Sequence, residues 1–158
     1  MMRRTRILPN LALLAMAVCW GAAEPARDDP AGGDPAGEVL DLFTDVAASL
    51  SAGNVARFLA AFDPAMPGYA KLRENVTALL AQGEVQSIID PVENEGTESE
   101  RAVELQWGLR IRRGQDATPS VLREQTVKCR VTKRAGKWRI AQLEPVAFFA
   151  PGNGSQIQ

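Results

Sequence analysis

The side chains able to do chemistry in this 158-residue chain are few, and what is missing narrows the possibilities first. There is no histidine, which removes Ser-His-Asp and Cys-His nucleophiles, His-ligated zinc and any imidazole acid or base. Two cysteines, Cys19 and Cys129, are too few for a disulfide framework or a four-thiolate metal site. No cofactor or metal is expected. Around residue 125 the apolar residues Val121, Val127, Cys129 and Val131 share one phase of a strand, and Arg123 and Gln125 fall on that same phase. An inward guanidinium and amide need partners, because an unpaired buried charge is too costly to keep. The partner is a bound anion or carbonyl, or an internal acid such as Asp90, unless the arginine snorkels to water or a bulge flips the phase. Trp107 and Trp138, on neighbouring strand phases, form either a pocket floor or ordinary core. Tyr69 either adds a hydroxyl to the same cavity or staples the start of a helix. The candidate ligand contacts are therefore Tyr69, Trp107, Arg123, Gln125 and Trp138. The best acid–base constellation is Asp90 as base with Tyr69 or Arg123 polarising a carbonyl, which suits proton abstraction beside a carbonyl group. No residue is assigned a catalytic role. Asn75-Val76-Thr77 matches a glycosylation sequon.

These residues must be positioned by elements that the apolar periodicity predicts. Val39, Leu42, Phe43, Val46, Ala47 and Leu50 occupy one helical face, closed by Gly53. Asn54 caps a second, short helix carrying Val55, Phe58, Leu59 and Phe62, which Asp63-Pro64 breaks. Tyr69, Leu72, Val76, Leu79 and Leu80 trace a third helix that stops at Gly83. Beyond Gly83 the period changes to two. Strands are predicted at 85–92, with Pro91 marking an edge or a bulge, then around 102–111, at 121–132 and at 138–146, with loops at 93–100 and 113–119. A run of helices followed by hairpin-connected strands is an α+β arrangement with a four-stranded antiparallel sheet.

The N-terminus reads as an export address. Arg3, Arg4 and Arg6 precede an uncharged run at 7–23, and Gly21 and Ala23 supply small residues for cleavage after residue 23. The alternative is an uncleaved membrane anchor, for which the run is short and interrupted by Pro9, Asn10 and Gly21. The exported chain, periplasmic or secreted, then keeps Cys129 as its one thiol, a small buried hydrophobe. Residues 24–37, with two DPAG copies and no apolar period, are expected to be a flexible acidic linker, 38–150 a single domain, and 151–158 a disordered tail. Charge is unevenly spread: residues 24–100 hold 15 acids against 4 bases, and residues 101–158 hold 4 acids against 11 bases. Without a recognition helix or a series of stacking aromatics the basic half is not a nucleic-acid surface, and Glu104 and Glu124 are placed to pair with it across strands. No membrane contact beyond the export signal is expected.

The order of elements carries a family resemblance: a helix ending in SAGN, the short helix VARFLAAF, a third helix to Gly83, then four strands closing with GKWRIAQLEPVAFF. It resembles the nuclear transport factor 2-like superfamily, which includes SnoaL-like proteins and ketosteroid isomerases, over about residues 38–150. The resemblance implies helices packed on a strongly bent sheet to form a cone with an internal pocket, and a homodimer through the sheet. Isomerases and cyclases of that family use an acid or histidine with a tyrosine, and with no histidine and only Tyr69 available nothing catalytic carries over. The leading expectation is an exported, non-enzymatic domain holding a small apolar or amphipathic ligand in the cone. The alternatives are a structural or interaction module that dimerises or docks an envelope partner through its sheet face, and an isomerase- or cyclase-like enzyme.

Overall fold

Asp34, in the second DPAG copy, accepts hydrogen bonds from the Ala36 and Gly37 amides at 3.1 Å and starts the first helix, α1 (Pro35–Ser51). The computed structural model describes residues 33–114 and 120–152, so the leader and most of the linker lie outside the described residues. The linker nevertheless ends earlier than its composition suggests. Proline in the first turn costs no hydrogen bond, and an acidic cap before it favours a helix over a tether. Asn54 caps α2 (Val55–Ala60) through the Arg57 amide at 2.9 Å, and α3 (Tyr69–Ala81) follows.

The chain then forms β1 (Glu84–Gly96), β2 (Glu100–Arg112), β3 (Val121–Arg134) and β4 (Lys137–Glu144), antiparallel neighbours in the order β1-β2-β3-β4. The predicted loop at 93–100 is instead the end of a long hairpin, in which Glu93 to Gly96 pair with Glu104 to Arg101. The polar residues there read as a loop, but a wet strand face is equally polar. Pro91 lies on an edge strand and at a register shift, so both roles expected of it are present. Ala135 and Gly136, with φ of 50° and 75°, make the two-residue turn between β3 and β4, a conformation that suits the strand twist and that glycine adopts without strain.

The alternating residues Val103, Leu105, Trp107, Leu109 and Ile111 of β2 are all buried and face Phe43, Val46 and Leu50 of α1 with Leu72, Val76 and Leu79 of α3 in one core. Each such side chain contributes roughly 1.5–3 kcal/mol by leaving water. Cys129 belongs to this core, and burial pushes its thiol up to about 12. At Pro145 the chain leaves the sheet and turns into a 3₁₀ helix, Val146–Phe149, where periodicity alone had prolonged the strand. Proline has no N–H to give a neighbouring strand.

Candidate functional site

The concave side of the sheet is where a pocket would lie, and Trp107 is at its centre. Trp107 is fully buried and donates its indole N–H to Ser87 Oγ at 2.8 Å. Against it stand two rings from the 3₁₀ helix: Phe149, edge-on at 5.1 Å between centroids, and Phe148 at 6.3 Å. Phe149 in turn meets Phe58 at 5.6 Å, and Phe58 meets Phe62 at 5.0 Å. The cone is filled with aromatic side chains from three elements. The edge-to-face pairs Phe58–Phe149 and Trp107–Phe149 attract beyond their area burial at these separations, so the rings stabilise one another as packed core.

Polar side chains hold the filling in place. Arg123 donates through Nη1 to the carbonyls of Phe148 at 2.5 Å and Ala150 at 2.8 Å. Arg113 donates through Nη2 to the Gly152 carbonyl at 2.5 Å and to Gln82 Oε1 at 3.2 Å, and the buried Asn75 amide donates to the Val146 carbonyl at 3.3 Å. Arg123's partner is thus the chain's own backbone, where an acid or a ligand was expected. Desolvation first, and then the nearby Arg113 charge, pull the Arg123 guanidinium below its usual range. Asn75 is engaged and buried inside the fold, so the sequon has no accessible amide in the folded domain.

The remaining candidates separate. Gln125 lies opposite Trp107 and so on the same face of the sheet, yet it is exposed. Tyr69 opens α3 half-buried, packed against the rim of the core. Trp138 donates its indole N–H to Glu38 Oε2 at 2.7 Å, while Lys133 donates to the same oxygen at 2.6 Å and sits 5.5 Å from the Trp138 ring. Those hydrogen bonds hold the Glu38 carboxyl below its usual range. Lys133, opposite Trp138, is eight residues further along β3 than Gln125, opposite Trp107, about 26 Å at the rise of a strand, so the two indoles share no pocket floor. Asp90 is exposed opposite Gln106, on the face away from Trp107, and forms no constellation with Tyr69 or Arg123.

Sequence reasoning missed Glu38, Arg113 and the two phenylalanines that close the cone. Only the Phe pair left a signal, an apolar doublet after Pro145 that breaks the two-residue alternation. A cleft of about 580 Å³ lies elsewhere, at the ends of α1 and α3, lined by Ser51, Gly53, Leu80 and Glu84 with Arg110 and Arg112. Among the described residues no cluster of acids and cysteines is arranged to hold a metal, and no helix is long and apolar enough to cross a membrane.

Three helices laid on a four-stranded, bent antiparallel sheet in this order have close structural counterparts. A putative scytalone dehydratase from Novosphingobium aromaticivorans superposes with a TM-score of 0.60 at 12% identity over 67% of this chain and 78% of that one. A nuclear transport factor 2-like protein of unknown function from Shewanella oneidensis gives 0.52 at 13% identity over 70% and 97%. The fold is that of the nuclear transport factor 2-like superfamily. A protein of unknown function from Nostoc punctiforme, described as having a cystatin-like fold, gives 0.55 at 21% identity over 67% and 85%. No family model and no curated protein matches the sequence. At these identities the nuclear transport factor 2-like likeness extends to the fold and not to chemistry.

Proposed function

We propose that the chain is an exported interaction domain, which keeps its cone as a core and meets polypeptide partners with its surface. The observation that carries this is the aromatic filling: Trp107 and Phe149 are completely buried and Phe148 is 2% exposed, in the space where a nuclear transport factor 2-like domain would hold a ligand. Admitting a small molecule there requires expelling Phe148 and Phe149, each stabilising by roughly 1.5–3 kcal/mol through burial alone. The basic, apolar leader supports export. Residues 34–158, incubated with a metabolite extract, desalted and weighed by native mass spectrometry, are expected to show the mass of the polypeptide alone. A retained small molecule that Phe149→Trp displaces would overturn the proposal.

A second reading, a small-molecule domain, is favoured by the cleft beside Arg110 and Arg112, whose size suits a small ligand. Both arginines are weakly engaged, Arg110 with Gln86 at 3.5 Å and Arg112 with Glu84 at 3.8 Å, so an anionic ligand would compete easily for them. In the same mass measurement, a ligand lost on Arg110→Ala but kept in Phe149→Trp would support it.

A further inference from the structure

A sheet edge carries backbone N–H and C=O groups that natural proteins cover or disguise. Two edges of this sheet are managed. Along β1, Ser51 Oγ accepts from the Ser87 amide at 2.9 Å, the Asn94 side chain donates to the Ala36 carbonyl at 3.0 Å, and Pro91 with its register shift interrupts the rest. Along β4, Ile140 exchanges backbone hydrogen bonds with Ala61 and Asp63, both at 2.9 Å.

The first half of β3 is different. β4 pairs with β3 only from Lys128 onward, and its chain leaves the sheet at Pro145, so residues 121–127 are paired with β2 on one side and, among the described residues, with nothing on the other. That stretch has no proline, lysine or bulge, and its register with β2 is unbroken. Its one inward charge, Arg123, is turned onto the Phe148 and Ala150 carbonyls. Of the four exposed large apolar side chains among the described residues, two are here: Val121 at 49% and Leu122 at 53%. Only an extended backbone matches such a row of donors and acceptors. A second copy is a poor match, because two-fold pairing over the whole stretch sets Glu124 directly against Glu124.

Resting on the reading of an interaction domain, we infer that the open edge of β3 at 121–127 takes an extended strand from another protein, continuing the line that β4 leaves at Pro145. Opposite residues of an antiparallel pair share a face, so Leu122 and Glu124, two apart on the convex face, call for an apolar and a basic residue two apart on the incoming strand.

The test uses a fluorescein-labelled peptide, Thr-Val-Thr-Lys-Thr-Val-Thr, whose Lys has Val two residues away on either side and so fits both strand directions. In the free domain every second amide of 121–127 should exchange quickly with solvent, and the peptide should protect those amides. N-methylation of the peptide at the positions facing β3 should weaken binding at least about tenfold, and at the alternate positions should leave it unchanged, the signature of strand addition. Glu124→Lys should weaken the Lys peptide about fivefold and favour its Glu counterpart. Edge amides already protected in the free domain, equal binding of the two N-methylated peptides, or no peptide binding at millimolar concentration would each overturn the strand site. A metabolite retained in the cone would instead overturn the interaction-domain reading and leave the edge result standing.

Discussion

Arg123 ties down the segment that fills the cone: one of its nitrogens serves two backbone carbonyls, and the next two residues of that segment run on to a third, held by Arg113. Arg123→Met keeps the apolar stem and strands both carbonyls. The mutant should therefore lose about 1–3 kcal/mol, read as a melting temperature several degrees lower, and an unchanged melting temperature would remove the role. An arginine paired with a buried acid would cost more, about 3–5 kcal/mol, because its loss leaves that acid unpaired. At the opposite end, Glu38 joins α1 to the β3–β4 hairpin through Lys133 and Trp138. Its carboxyl titrates below its ordinary 4.5, so the unfolded chain takes up the proton first as pH falls. The stability Glu38 contributes is therefore full at neutral pH and drains away below about pH 5. Glu38→Gln should be less stable than the parent at pH 7 and converge toward it at pH 3 in denaturant titrations. A constant difference across that range would deny the coupling.

At the scale of elements, the helix N-caps do as much as periodicity to place the chain. Asp34→Ala should cost about 1 kcal/mol and fray the first turn of α1, visible as faster amide exchange at residues 36–38. No change would mean that α1 starts later, where composition alone put it. The helices and strands that share a clear apolar period were legible beforehand: α1, α3 and β2 bury most of the residues their spacing selects, with Leu42, Tyr69 and Leu80 half-buried at the margin. What escaped was set by pairing and not by local pattern. Glu93 to Gly96 are polar and extend β1 because β2 supplies hydrogen-bond partners opposite them. Val146–Phe149 departs from the sheet because proline cannot donate, and its two rings then have only the concave face to bury against. The site suffered most. Strand phase placed Arg123 and Gln125 on the correct face, but no sequence rule says how far that face is covered, so Gln125 is wet and Arg123 meets backbone. Trp138 could not be told from a pocket residue, because its partner Glu38 is 100 residues away in sequence.

For the whole molecule, the question is whether a fold that elsewhere can surround a ligand has here become a solid body with its recognition on the outside. Fold likeness at 12–21% identity leaves that open, and the proposal of a solid body rests on the packing of Trp107 against Phe148 and Phe149. The Trp107 indole proton, buried and bonded to Ser87, reports directly on whether that packing opens. Its hydrogen exchange, followed by NMR and assigned with the Trp138→Phe variant, gives an opening free energy to set against that of global unfolding from denaturant. A cone that is permanent core predicts equal values, with exchange only through complete unfolding. Exchange through a local opening several kcal/mol below the global value would contradict it and return the 3₁₀ segment to the role of a lid over a ligand site.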